Sequence, residues 1–213
     1  MGRIAQTSLE RRSTAYKRAR ARFHRFRYQA DFYQKVGLAL GFAAITGLAA
    51  QIQIILPFTP IPITFTTFAV LLTGIALGAR WGGISQTLYV GFGVAGLPWF
   101  AGTRGGIEVI LGATGGYIIG FIMAAMVVGY YTETFSNELQ IYHLGAILLG
   151  ANFIVIYGVG LPWFFGWLTV IQGTPPSVMD LFAMGFFPFI LGDIFKLVLV
   201  LPIANAIMPV DAS

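Results

Sequence analysis

The chain has 213 residues, of which 57% are hydrophobic and 10% are charged, and its formal net charge is +5. Soluble domains contain about 45–50% apolar and about 25% charged residues, so this composition excludes an ordinary soluble protein and indicates an integral membrane protein. The chain has no cysteine and two histidines. These counts exclude a disulfide or a thiol nucleophile and argue against a metal site, and we predict neither metal nor cofactor.

The positive charge is concentrated in an N-terminal arm. Residues 1–35 hold ten of the thirteen lysines and arginines, interleaved with aromatic residues such as Phe23 and Phe26. This pattern is typical of a helix lying on anionic lipid, with docking to a partner protein as the alternative, and we do not expect nucleic-acid binding. A cation excess before the first span predicts a cytoplasmic N-terminus. We therefore divide the chain into a cytoplasmic arm, 1–35, and a transmembrane substrate-binding domain, 36–213.

Six apolar stretches follow the arm. They are 36–56, 61–79, 82–100, 109–131, 144–165 and 186–208. As a helix rising 1.5 Å per residue, each is about long enough to cross a hydrocarbon core of about 30 Å. The predicted fold class is therefore an all-α integral membrane protein, a compact bundle of six transmembrane helices with the N- and C-termini both cytoplasmic.

Small residues recur along the first stretch. They are Gly37, Ala39, Gly41, Ala43 and Gly47. Small residues four apart allow another helix to approach closely. The stripe is either a packing face inside the bundle or a docking face for another membrane subunit.

A proline-rich connection, Pro57–Thr64, separates the first two stretches. Its prolines at 57, 60 and 62 predict a stiff, extended segment, since proline fixes its own backbone and restricts the residue before it. The segment is either an ordinary tight loop or a rigid lid over a binding site.

A glycine-rich segment lies between the third and fourth stretches. Six glycines fall within residues 102–116, with Arg104 near the beginning. Because such a segment is costly as a regular helix, it is either an external loop in which Glu108 neutralises Arg104 or a loop folded over a ligand to which Arg104 donates. The surroundings do not fit a nucleotide fingerprint, and the sequence has no P-loop motif, so we expect no ATP binding by this chain.

The last stretch contains two charged residues, Asp193 and Lys196. Each costs about 2.5–3.5 kcal/mol at mid-membrane, and the i, i+3 spacing places both on one helix face. If the helix begins near Phe186, they lie about 10–15 Å below the outer surface, so they should face the bundle interior or a polar cavity. They are either a self-neutralising packing pair or a ligand site.

Several motifs together resemble the BioY family, the biotin-binding components of energy-coupling factor (ECF) transporters. The resemblance covers residues 36–209, in the right order and spacing, and leaves out the arm. It is carried by Phe58–Thr64, Gly78–Gly82, Gly96–Gly102, Gly112–Tyr117 and Gly192–Lys196.

The resemblance implies a substrate-capture component of a biotin uptake transporter, in the plasma membrane of a prokaryotic cell and crossing it several times. The resemblance further implies that the chain is not an enzyme and that its partners, a transmembrane coupling subunit and cytoplasmic ATPases, supply the energy. The contact with the coupling subunit would lie on the first helix, through Ala39, Ala43 and Gly47.

The resemblance also implies a substrate-binding set of Asp193, Lys196, Arg104, Thr66 and Tyr117. The chain departs from the family pattern at Thr66, where glutamine is frequent, and at Ile118, where some members carry a cation. We expect Arg104 to supply that missing charge.

Biotin suits such a set chemically. Its ureido ring has two N–H donors and one carbonyl acceptor, so Asp193 can accept from the ring and Lys196 can donate to it. Arg104 can then bind the carboxylate of the tail, although the two cations can exchange roles. The alternatives are a component for another vitamin, a membrane scaffold and an intramembrane enzyme.

Overall fold

The computed structural model describes residues 30–135 and 140–207. Eight α-helices lie in these ranges: α1 (Phe32–Gln51), α2 (Thr66–Val94), α3 (Ile107–Ile110), α4 (Gly115–Thr134), α5 (Ile141–Gly150), α6 (Tyr157–Gln172), α7 (Val178–Gly185) and α8 (Ile190–Ile207). A π-helical segment, Ala151–Ile156, continues α5 into α6, and a 3-10 turn, Phe187–Phe189, joins α7 to α8. Most of the predicted basic arm, residues 1–29, lies outside the described residues, whereas residues 32–35 belong to α1.

Five helical segments of the described ranges are long and apolar enough to cross a membrane. They are Phe32–Gln51, Thr66–Val94, Gly115–Thr134, Ile141–Gln172 and Val178–Ala204. The predicted helical membrane fold is confirmed. Most of the second and third predicted stretches, 61–79 and 82–100, falls on the two halves of α2. The last predicted stretch, 186–208, contains the 3-10 turn and α8, and α7 precedes it.

The long helix α2 folds back on itself at Gly78. This residue has φ 80° and ψ −178°, a backbone conformation that glycine adopts without a side-chain clash. In a straight helix Gly74 and Gly82 would be about 12 Å apart along the axis. Instead, a Cβ atom on Gly82 would lie 3.3 Å from Gly74 Cα. The halves 66–77 and 79–94 therefore pack against each other, with the reversal just before Arg80.

Helix α4 lies in direct backbone contact with this folded pair. A Cβ on Gly74 would lie 2.6 Å from the Ala125 carbonyl oxygen, and a Cβ on Gly129 would overlap the Ala79 backbone. Ala124 on the same helix is fully buried. Glycine and alanine at these positions let the backbones approach closely, as is usual between membrane helices.

The small-residue stripe of α1 is divided between two faces. Ala39 and Ala43 are fully buried, the Ala39 carbonyl accepts from Ser85 Oγ at 2.8 Å, and a Cβ on Gly47 would lie 3.0 Å from the Trp99 ring. The structure therefore corrects the expectation that Ala39, Ala43 and Gly47 contact a coupling subunit, because the chain itself already covers them. By contrast, a Cβ on Gly41 would meet nothing within 4 Å.

The proline-rich connection forms the loop of a short hairpin rather than a simple extended segment. Strands β1 (Gln53–Ile54) and β2 (Ile63–Thr64) pair antiparallel on either side of it. Thr59 Oγ1 donates to the Met184 carbonyl at the end of α7 over 2.7 Å and accepts from the Ile61 amide at 3.2 Å. These bonds fix the loop against the end of α7.

Candidate functional site

A cavity lies among α1, α2, α4, α6, α8 and the two loops that follow α1 and α2. It encloses about 670 Å³ of space, including the open solvent at its mouth. The five residues predicted to bind substrate all line this cavity: Asp193, Lys196, Arg104, Thr66 and Tyr117.

Asp193 and Lys196 form a buried ion pair in the cavity wall. Lys196 Nζ lies 2.5 Å from Asp193 Oδ1, and the residues are 5% and 3% exposed respectively. Helix α8 begins at Ile190, so Asp193 lies in its first turn rather than two or more turns below the helix start as the sequence suggested. The positive end of the helix dipole stabilises a carboxylate at this position. Burial of the pair therefore comes from the surrounding segments rather than from depth along the last helix.

Two residues that the sequence did not single out hold the other oxygen of Asp193. Asn152 Nδ2 donates to Asp193 Oδ2 at 2.9 Å, and the Tyr157 hydroxyl donates to the same oxygen at 2.5 Å. Residues five apart in an α-helix point about 140° away from each other, so an α-helix would not direct both to one atom. The π-helical segment Ala151–Ile156 closes its turns over five residues and brings them to one face.

A sequence signal for Asn152 was present. It is an amide in the strongly apolar stretch 144–165, it is 1% exposed, and its Oδ1 has no hydrogen-bond partner in the described structure. A buried polar side chain inside a membrane helix indicates a functional or packing role. The π-helical geometry that pairs it with Tyr157 left no comparable signal in the residue pattern.

The ion pair keeps two hydrogen-bonding positions that a ligand can use. A carboxylate offers about four acceptor positions, of which Lys196, Asn152 and Tyr157 use three on Asp193. The Lys196 ammonium has three N–H donors and directs one to the Thr64 carbonyl at 2.9 Å and one to Asp193. One acceptor position and one donor remain for a polar molecule in the cavity.

Arg104 lies at the mouth of the cavity in the glycine-rich loop. It is exposed, and its Nε donates to the Ala101 carbonyl at 3.1 Å. Within residues 30–135 and 140–207 it makes no ion pair, so the alternative in which Glu108 neutralises it is not observed. The guanidinium can therefore bind an anionic group at the mouth.

Gln51, at the C-terminal end of α1, fixes the loop that carries Arg104. Its Nε2 donates to the Trp99 and Phe100 carbonyls at 3.0 and 3.1 Å, and its Oε1 accepts from the Thr103 amide at 3.0 Å. Thr103 has a positive φ of 55°, a conformation uncommon for a residue other than glycine. The loop is thus held in a defined shape by a residue that the sequence gave no reason to select.

Thr66 and Tyr117 occupy different parts of the wall. Thr66 is buried at the start of α2. The Tyr117 hydroxyl donates to the Gly185 carbonyl at 2.8 Å, and its ring packs so closely on Gly160 that a Cβ there would lie 2.5 Å from it. Tyr117 therefore contributes mainly an aromatic surface. Ile118, at the position of the missing cation, also lines the cavity and is apolar.

Aromatic rings cover much of the remaining wall. They belong to Tyr89, Phe100, Phe121, Tyr157 and Phe189. The ring centroids of Tyr89 and Phe100 are 5.4 Å apart in an edge-to-face arrangement. A wall of this kind suits a small, largely apolar ring system, with the polar groups at the ion pair fixing its orientation.

Comparison with known proteins decides the family. The sequence profile of the BioY family matches residues 19–211. This chain belongs to the BioY family. The family recognised from the sequence motifs is confirmed, and the match begins at residue 19, inside the arm that the motif resemblance had left out.

Curated members of the BioY family cover much of the chain. A probable biotin transporter BioY of Methanothermobacter thermautotrophicus is 43% identical over 138 residues, which are 65% of this chain and 88% of that protein. The biotin transporter BioY of Thermotoga maritima is 34% identical over 163 residues, 76% of this chain and 89% of that protein. These relatives are named as transporters, in agreement with the expectation that the chain is not an enzyme.

A solved structure shares the fold. It is described as the S-component for biotin from an ECF-type ABC transporter, and it superposes with a TM-score of 0.71 over 82% of this chain and 92% of that chain, at 24% sequence identity. At this identity the likeness establishes the fold. The roles of individual residues in this chain stay predictions.

Proposed function

We propose that this chain is the substrate-capture component of a biotin uptake transporter and that biotin binds in the cavity beside Asp193 and Lys196. The observation that carries the proposal is a buried ion pair lining a small-molecule cavity in a member of the BioY family. Curated relatives at 43% and 34% identity are named as biotin transporters. The chain is a multi-pass protein of a prokaryotic membrane, and coupling subunits of the transporter are its partners.

The proposed binding mode follows the hydrogen-bonding capacity of the site. The remaining acceptor position of Asp193 takes an N–H of the ureido ring, and the remaining donor of Lys196 binds the ureido carbonyl. Arg104 at the mouth binds the carboxylate of the tail, unless the two cations exchange these roles. Tyr117 and the neighbouring aromatic rings cover the thioether ring, and Thr66 lines the wall where glutamine is frequent in the family.

Titration calorimetry on detergent-purified protein tests the function directly. Biotin is expected to bind with a Kd in the nanomolar to micromolar range, about −8 to −12 kcal/mol. Asp193→Ala and Lys196→Ala should each abolish measurable binding. Unchanged affinity in both variants would reject this site, and displacement of biotin by thiamine or riboflavin would indicate a component for another vitamin.

We further propose that the chain crosses the membrane six times with both termini cytoplasmic. The proposal is supported by the reversal of α2 at Gly78, which makes two crossing elements of its halves, and by the cation excess before α1. The halves are shorter than a typical span, 12 and 16 residues, but they continue into the loops at their outer ends.

The contact with the coupling subunit is proposed to lie on the outward face of α1. Gly37 and Gly41 are exposed there, and a Cβ atom added to either would meet nothing within 4 Å. The proposed contact of the basic arm with anionic lipid concerns residues outside the described ranges. Salt-dependent binding of a peptide of residues 1–29 to vesicles containing anionic lipid tests it, and binding that is independent of lipid charge would contradict it.

A further inference from the structure

A second hollow adjoins the cavity on its outer side. This outer cleft lies between the proline-rich loop and the glycine-rich loop and encloses about 500 Å³, open solvent included. It is lined by Gln53, Ile55, Thr59, Pro60, Pro62, Ala101, Gly102 and Arg104. Pro62, Ala101 and Arg104 line both the cavity and the cleft. These three residues therefore form the neck that connects the two spaces.

The cleft is bounded by loops that are fixed separately. Thr59 ties the proline-rich loop to α7, while Gln51 ties the glycine-rich loop to α1. Among the described residues, no hydrogen bond joins loop residues 55–62 to loop residues 100–106. The cleft is thus a gap between two anchored walls, and the structure leaves it open to solvent.

We infer that the outer cleft is a subsite for substituents attached to the biotin carboxyl group, so that the chain also binds carboxamide derivatives of biotin. The inference rests on the proposed function, because it requires the ureido ring at Asp193 and Lys196 and the tail at Arg104. A tail that reaches the neck has its carboxyl carbon at the entrance of the cleft. A group joined to it through an amide then continues outward between the two loops.

Because Arg104 is exposed, losing the carboxylate charge of biotin is expected to reduce the binding affinity only slightly. An ion pair at an exposed side chain contributes little, so converting the carboxylate to an amide is expected to weaken binding by only about two- to fivefold. An amide carbonyl can still accept a hydrogen bond from the guanidinium. Gln53 and Thr59 offer further polar groups along the cleft.

The test compares free biotin with biotin joined to the ε-amino group of lysine, measured by calorimetry on the full-length purified protein. We expect the lysine conjugate to bind within about tenfold of biotin. Ile55→Trp should fill the cleft, since Ile55 lines it and is 75% exposed, and should weaken the conjugate by about tenfold or more while leaving biotin within about twofold. Ile52→Trp is the matched control, because Ile52 is 64% exposed on the same segment and does not line the cleft.

The outcomes separate this inference from the proposed function. If the wild-type chain fails to bind free biotin, the proposed function fails. If it binds biotin but not the lysine conjugate, or if Ile55→Trp and Ile52→Trp affect the conjugate equally, the cleft is not a subsite and only the inference is overturned. Thermal unfolding of both tryptophan variants verifies that they fold.

Discussion

The side-chain amide of Asn152 lies 2.9 Å from Asp193 Oδ2, joining the π-helical segment to the first turn of α8. Tyr157 donates to the same oxygen, so two donors from one helix fix the carboxylate that faces the cavity. Asp193 therefore faces the cavity in an orientation that α8 alone does not determine.

The first prediction concerns these two donors. Asn152→Leu and Tyr157→Phe should each weaken biotin binding by about tenfold, because each removes a hydrogen bond to a charged group. In an Asp193→Asn background the same changes should have much smaller effects, since they act through the carboxylate. Calorimetry on the single and double variants gives the coupling energy.

Tyr117→Phe is the control for this cycle. It also removes a phenol from the cavity wall, but that hydroxyl donates to the Gly185 carbonyl rather than to Asp193. Equal coupling of Tyr117 and Tyr157 to Asp193 would contradict the positioning role.

The second prediction concerns the stability of the ion pair. Lys196→Met or Asp193→Asn alone leaves a buried charge without its partner and should lower the free energy of unfolding by about 3–5 kcal/mol. The double variant leaves no unpaired charge and should recover most of this loss, although it will not bind biotin. Thermal unfolding in detergent measures the comparison, and a double variant less stable than both singles would show that the pair does not set stability.

The third prediction contrasts the two faces of α1. Ala43→Leu should destabilise the protein by about 1–3 kcal/mol, because Ala43 is fully buried and the larger side chain overpacks the contact with the chain. Gly41→Leu meets open space and should leave stability and biotin binding nearly unchanged while reducing co-purification with the coupling subunit. If Gly41→Leu assembles normally, the outward face of α1 is not the contact.

The fourth prediction concerns Gln51. Gln51→Leu removes the hydrogen bonds that fix the glycine-rich loop, so Arg104 becomes less well positioned and biotin should dissociate about two- to fivefold faster. Gln172→Leu, at the exposed end of α6, is the control and should dissociate like the wild type. Stopped-flow measurements of dissociation decide between them.

The fifth prediction tests the membrane topology. The natural chain has no cysteine, so single substitutions can be labelled without background. Thr134→Cys and Thr174→Cys lie beyond opposite ends of the Ile141–Gln172 segment and should react with impermeant reagents from the cytoplasmic and outer sides, respectively. Labelling of both from one side would contradict the proposed six crossings.

Much of the fold follows from composition, because long apolar stretches can only satisfy their backbone in lipid as helices. The charges at Asp193 and Lys196 were predictable candidates for the same reason: their cost in an apolar stretch requires an explanation. The roles of Asn152 and Tyr157 were not predictable, since a five-residue separation implies a shared face only once the helix is known to be π-helical.

The small-residue stripe of α1 shows a second limit of prediction from the sequence, because the buried face of the helix could not be chosen. Gly37, Gly41, Ala39 and Ala43 are equally small, and a helix whose residues are apolar on all sides gives no sign of which face is buried. Only the packing partners Ser85 and Trp99 settle the question. The family resemblance implied a partner contact on the first helix but offered no means to choose its face.

The backbone contacts of Gly74, Gly78 and Gly129 bear on which end of the bundle a molecule can pass through. They lie at the Gly78 reversal, at the opposite end of the two α2 halves from the loops that border the cavity, and they bring the backbones of α2 and α4 into close contact. Passage between α2 and α4 at that end would require the two helices to move apart. In the part of the chain that the structure describes, the cavity therefore opens at the loop end, and a route to the opposite end would require α2 and α4 to separate.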